Sequence, residues 1–470
     1  MWSTKGTSFP SKSSVSTPRA RSSFPGRTPS EKRPTNSRPN CGLPLRTRHE
    51  ETNTYRKTVL HNNLRVITEE VPHMKSISMG IWVRCGSRFE QPALNGICHF
   101  IEHMLFKGTE RRSAFDIARE MDSVGGILNA FTSKELTAFY CKVLGEDMEL
   151  AVDLLSDLFI NSSFPEEEID REKQVVCQEI SQLEDAPEEL VHEILGNRLW
   201  QGSPLGQPVL GTVATVLSID RDSIITFKDA AYAPAETLVC AAGCVNHDRF
   251  LGLIEKHMGS LPQGPARNSY PKPSVEPSHQ VIPRDLEQVH ICVGLEGPSA
   301  VDNSRHAGHV LNTILGGGMS SRLFQEVREK RALAYSIYSY LSSVSDTGIL
   351  AIYAGCDPGR LDELLTIFKK ETAELAESLT EEEIGAAKNQ MRGNLILSME
   401  SSDSRMHRLA KSEFYFGRYI TVDEIIDAFG RVTSEELAET ARRLFAPGRY
   451  SLVAIGPVDD GNEIFRMFQR

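Results

Sequence analysis

The 470-residue sequence predicts an α+β protein of two homologous domains, each a largely antiparallel sheet covered by helices, behind a disordered N-terminal tail. Three observations carry that expectation. A strand-like alternation over residues 77–83 returns over 289–295, each time leading through a Gly-containing turn into a helical stretch. The acidic helix start Glu166-Glu167-Glu168-Ile169 returns as Glu381-Glu382-Glu383-Ile384, an offset of 215. Tyr232-Ala233-Pro234 returns as Phe445-Ala446-Pro447, an offset of 213. Two independent matches at nearly one offset mark a duplication.

Taken in order, residues 1–54 form the tail. Its first 50 residues hold ten Lys or Arg against two acids, net +8, which leaves −19 on the remainder of a chain whose total is −11. Rich in Ser, Pro and Arg and poor in large apolar side chains, the tail cannot offset its ordering entropy. The Ser/Arg bias suits an organelle transit peptide, but prolines from Pro10 to Pro44 break the amphipathic helix such a signal uses. A cytoplasmic location is therefore expected, with the mitochondrial matrix as the alternative. Residues 55–260 form the first domain, the Pro-rich stretch 261–284 a linker, and 285–470 the second domain. A hydrophobic content of 40% supports two ordinary cores. The acidic body argues against nucleic acid, and no run approaches the roughly 18 apolar residues of a membrane span. Nine scattered cysteines in apolar settings read as core residues in a reducing compartment.

Segment 96–107 places Ile97, Phe100, Ile101, Met104 and Leu105 on one apolar stripe, and His99, Glu102 and His103 on the other side. At about 100° per residue the two histidines lie about 40° apart and one turn along, so both imidazoles reach one ion. Glu102 can hold a metal-bound water without being a ligand. Without a metal, the same residues read as a solvated polar face. A second helix, over about 166–183, has an apolar face of Ile169, Val175, Val176, Ile180 and Leu183, with Glu172 and Glu179 within or beside it. These carboxylates lie about 20° apart, two turns along one side. Burying either without a partner costs several kcal/mol, so a cation belongs nearby. On these grounds either could be the third ligand, with salt bridges to Arg or Lys as the alternative. At the 215 offset the second half carries Ala387 and Asn394, and its helical stretch near 306–315 has no His-x-x-Glu-His. That copy is expected to hold substrate rather than metal.

Across nearly all of residues 55–465 the chain resembles the pitrilysin/insulinase family of inverted-motif zinc peptidases. The resemblance is greatest to short members: single-chain bacterial peptidases and the β subunit of mitochondrial processing peptidase. It implies one Zn2+ per chain held by His99, His103 and Glu179, the last lying 76 residues beyond His103, with Glu102 as catalytic base. Glu172 matches the family's acid that orients a ligand. Asn129-Ala130-Phe131-Thr132 through Thr137-Ala138-Phe139-Tyr140 looks like the family's edge strand, which takes an extended peptide by strand addition and makes Asn129 and Ala130 substrate-binding candidates. Arg328 and Tyr335 match the family's Arg and Tyr that bind substrate and steady the carbonyl oxygen. The preceding Gly316-Gly317-Gly318 lacks the Lys and Ser/Thr pair of a phosphate loop. The implied activity is a metalloendopeptidase acting on unfolded peptides or presequences through a zinc-activated water. The alternative is a non-catalytic structural or partner subunit of the same fold. Short members work as pairs, so a homodimer joining His99 of one chain to Tyr335 of the other is expected, or a heterodimer with a homologous subunit.

Overall fold

Two sheets organise the computed structural model, which describes residues 54–264 and 270–458. Residues 1–53 of the expected disordered tail, 265–269 of the expected linker and 459–470 of the second half lie outside the described residues. The first sheet contains β1 (Tyr55–Val59), β2 (Arg65–Glu70), β3 (Ser76–Val83), β4 (Ile127–Thr132), β5 (Thr137–Leu144) and β6 (Thr237–Gly243). The second contains β7 (His279–Pro283), β8 (Val289–Gly297), β9 (Ala334–Ser343), β10 (Gly348–Cys356) and β11 (Ser451–Gly456). Strand β7 lies within the Pro-rich 261–284 stretch.

The orders β1-β2-β6-β3-β5-β4 and β7-β11-β8-β10-β9 are the same plan once β1 is set aside. In each sheet one pair is parallel, β2 with β6 and β7 with β11, and the other pairs are antiparallel. The alternating segments 77–83 and 289–295 are the matching strands β3 and β8. In β3, Ile77, Met79, Ile81 and Val83 enter one core and Trp82 enters another, on the opposite face. Both faces of the strand are buried, and beside Trp82 on the second face Ser78 and Gly80 are small.

What covers the second face comes from the other half. Helix Pro187–Leu199, of the first half, packs on β8 and β11 through Val191, Leu195 and Leu199. Helix Ser402–Phe416, of the second half, packs on β2, β3 and β6 through Met406, Leu409 and Ala410. The exchange carries the internal repeat with it. His192 and His407, again 215 apart, each press on aromatic strand residues. His192 hydrogen-bonds the hydroxyls of Tyr338 and Tyr340 at 2.9 and 3.0 Å, and His407 stacks on Phe131 at 5.8 Å. Ion pairs such as Lys57 to Glu413 at 2.7 Å fasten the crossing.

Candidate metal centre

Helix Ile97–Leu105 starts at Gly96, whose φ of 97° is left-handed and whose Cβ, if present, would stand 2.7 Å from the Leu210 carbonyl oxygen. The backbone of 210–211 thus closes directly over the helix start, and no other residue fits there. Helix Glu166–Glu184 lies across the first helix. Their crossing brings one ligand atom each of His99, His103 and Glu179 within 4.8 Å of one another. The Glu179 Oε2 is 3.7 Å from His99 Nε2 and 3.6 Å from His103 Nε2. Those separations are too long for hydrogen bonds. They are close to the edge of a tetrahedron with metal bonds of about 2.0–2.1 Å.

The polar side of the first helix is not solvated. His99 is 2% exposed and Glu102 6%, because β4 and helix Glu166–Glu184 cover that side. Both His99 ring nitrogens, Glu179 Oε2 and Glu102 Oε2 are buried without a hydrogen-bond partner among the described residues. Unpaired buried polar atoms are costly, and two of these, His99 Nε2 and Glu179 Oε2, face each other beside His103 Nε2, where a cation would satisfy them. Two histidines and a carboxylate are a donor set that suits zinc. The apolar face of the second helix is narrower than its sequence suggests, since Val175 is 38% exposed. Glu172 and Glu179, rather than Val175, take the side that faces the centre.

The two carboxylates of that helix separate by contact. Glu172 Oε2 lies 3.0 Å from His103 Nδ1 and its other oxygen pairs with Lys107. That arrangement leaves His103 Nε2 as the lone-pair side, turned toward Glu179. Burial acts on every member. It holds His99 well below the ordinary histidine range, with His103 adding to the effect. It pulls His103 down too, but the Glu172 hydrogen bond and the carboxylates of Glu179 and Glu102 more than offset it and the pKa is raised. It raises Glu102 to about 7, against the Thr132 hydrogen bond. It opposes the His103 and Lys107 hydrogen bonds that nonetheless keep Glu172 below its ordinary value. Glu179 is raised by burial, with His103 working the other way.

Sequence patterns do not single out Lys107 or Thr132. Lys107 lies in the turn just past the end of the helix at Leu105, where the 3.6-residue period no longer holds. Thr132, at the end of β4, offers no pattern that would link it to Glu102. Asn129 and Ala130 lie on β4, the terminal strand of its sheet, opposite Tyr140 and Phe139 of β5. The Asn129 side chain accepts a hydrogen bond from the Ala130 amide at 2.8 Å. Arg328 and Tyr335 sit on the second sheet's side of the molecule, and the Arg328 guanidinium stacks 4.6 Å from the Tyr335 ring centroid. Tyr335, on the terminal strand β9, is 68% exposed. Thus His99, Glu102, His103, Glu172 and Glu179 form one cluster, and Arg328 with Tyr335 forms another.

Comparison with known proteins shows the family. Residues 65–213 match the family model described as Insulinase (Peptidase family M16), and 218–391 match the Peptidase M16 inactive domain. A protein of Streptomyces coelicolor named as an uncharacterized zinc protease is 42% identical over 416 residues, covering 87% of this chain and 90% of its own. The Bacillus subtilis uncharacterized zinc protease YmxG is 41% identical over 397 residues, covering 84% and 97%. The crystal structure of a protease from Helicobacter pylori superposes with a TM-score of 0.79 at 22% identity, over 86% of this chain and 99% of that one. The last likeness shows the fold alone.

Proposed function

The chain belongs to the insulinase family of peptidases, M16, and from that footing we propose that it is a zinc metalloendopeptidase cutting unfolded peptides or presequences. One observation carries the reading: three ligand atoms converge from two helices beside a buried, unpaired Glu102 oxygen. His99, His103 and Glu179 would hold one zinc ion per chain. When bound, the metal lowers the pKa of a water and polarises the scissile carbonyl.

The chain's own groups do the rest. Glu102 takes the water's proton and returns it to the leaving amine. Glu172, itself held by Lys107, keeps His103 in the tautomer that presents Nε2. The outer edge of β4 pairs with no strand among the described residues, so an extended peptide can add there, past Asn129 and Ala130. The separate cluster of Arg328 and Tyr335 supports a composite site, in which a second copy or a homologous subunit brings that pair to the metal. No helix among the described residues is long and apolar enough to cross a membrane. The eight described cysteines are free, which supports the cytoplasm as its compartment.

Zinc content and hydrolysis of a quenched unstructured peptide, for wild type and Glu102→Gln, test this together. About one zinc per chain in both, with kcat lower by about 10²–10⁴-fold in the mutant, is expected. A zinc-loaded wild type that stays inert across a broad peptide library, alone and with candidate partners, returns the chain to the non-catalytic subunit reading.

A further inference from the structure

Glu90 is a buried carboxylate outside the metal triad, 2% exposed, and its oxygens reach the start of the metal-bearing helix and its approach. Its Oε2 accepts from the Gly96 amide at 2.7 Å and the Asn95 side chain at 2.8 Å, and its Oε1 accepts from the Cys98 amide at 2.8 Å. The first amides of a helix have no partner within it and carry partial positive charge. Gly96 has no side chain to satisfy them, so Glu90 caps the helix from outside. Cys98 is the residue before His99, and the helix has nine residues. A small rotation at its start therefore displaces His99, Glu102 and His103 together.

Glu90 is fixed in turn by the loop it closes. The amides of Ser87 and Arg88 donate to the carbonyls of Ser133 and Lys134 in the β4–β5 turn, at 3.2 and 2.9 Å. The buried Arg88 guanidinium donates to Glu135 of that turn at 2.8 Å and to Asp346 at 2.7 Å. Asp346 lies in the β9–β10 turn of the second half. Glu135 also accepts from the Ser345 amide at 2.9 Å. Breaking such a buried ion cluster leaves charges without compensation.

We infer that Glu90 is a positioning residue of the metal centre, aiming the helix that carries His99, Glu102 and His103, and that Asp346 of the second half holds it in place through Arg88. The inference rests on the zinc peptidase reading, so its test uses metal binding as well as turnover. In Glu90→Gln the size is kept, but one amide N–H must face a backbone N–H of the helix start. Zinc affinity is expected to fall about tenfold, kcat to fall about 10–100-fold with KM little changed, and the visible bands of the cobalt-substituted protein to shift. Asp346→Asn is expected to move all three the same way by less, and it decides the matter if Glu90→Gln does not fold. Ser113→Ala removes the side-chain cap of the neighbouring helix Ala114–Ser123 and serves as control, with unaltered cobalt bands. Wild-type zinc affinity and cobalt bands in both Glu90→Gln and Asp346→Asn, or equal shifts in Ser113→Ala, overturn the inference. Absence of turnover in every variant would count against the peptidase reading, while the binding and spectral comparison would still decide the role of Glu90.

Discussion

Two helix pairs occupy the same place over two matching sheets, and they differ in what they enclose. In the first half, Ile97–Leu105 and Glu166–Glu184 gather two histidines and three carboxylates in one cluster, with His99, Glu102 and Glu172 buried and His103 and Glu179 partly so. In the second, Arg305–Gly316 and Glu381–Ser398 border an open groove of about 280 Å3 where His309, Asn312, Thr313 and Asn394 lie among apolar neighbours. At the repeat offset Ala387 stands for Glu172 and Asn394 for Glu179, and Ala387 is packed into the second core. The second copy of the helix pair is thus held on its sheet by apolar packing. The first half's carboxylates are a burden on stability that the Glu172 contacts with His103 and Lys107 offset in part and that a cation would offset further.

That comparison can be broken from either side. The largest effect is expected from Glu179→Asn, which gives the first half the second half's residue. Zinc should be lost on dialysis while circular dichroism stays native, and a chain that keeps its zinc would show that Glu179 is not a ligand. In the opposite direction, Ala387→Glu puts a carboxylate where no cation waits. Denaturant unfolding should show a loss of roughly 3–5 kcal/mol, the cost of an uncompensated buried charge. An unchanged midpoint would mean that the second site can still house a charge. Glu172→Ala, the copy of Ala387, sharpens the comparison with the smallest change. Zinc affinity should fall about 10–100-fold through the freed His103 ring, with the fold kept. Competition with a chelator reads this directly.

Much of this is legible in the amino-acid sequence. The duplication, the α+β class and the equivalence of β3 with β8 all follow from period-two and offset patterns. The exchange of helices Pro187–Leu199 and Ser402–Phe416 is not legible there, because an amphipathic pattern says that a face is buried but not which sheet buries it. For the same reason the polar side of the His99 helix, without a metal, reads as a solvated face. Its burial depends on β4 and on a helix that begins some sixty residues later in the chain.

His99 and His103 are set by the sequence alone, since four residues on one helix are neighbours by local geometry. Glu172 and Glu179 are equivalent on that basis, both on one side of their own helix, and family resemblance rather than spacing tells them apart. Tertiary structure supplies the physical distinction. The angle at which the second helix crosses the first delivers Glu172 to His103 Nδ1 and Glu179 to the two Nε2 atoms. The partners that hold these groups, Lys107 and Glu90, come from turns, where no periodicity marks them. Local patterns fix what a segment offers, and only packing between distant segments decides which of those offers meet.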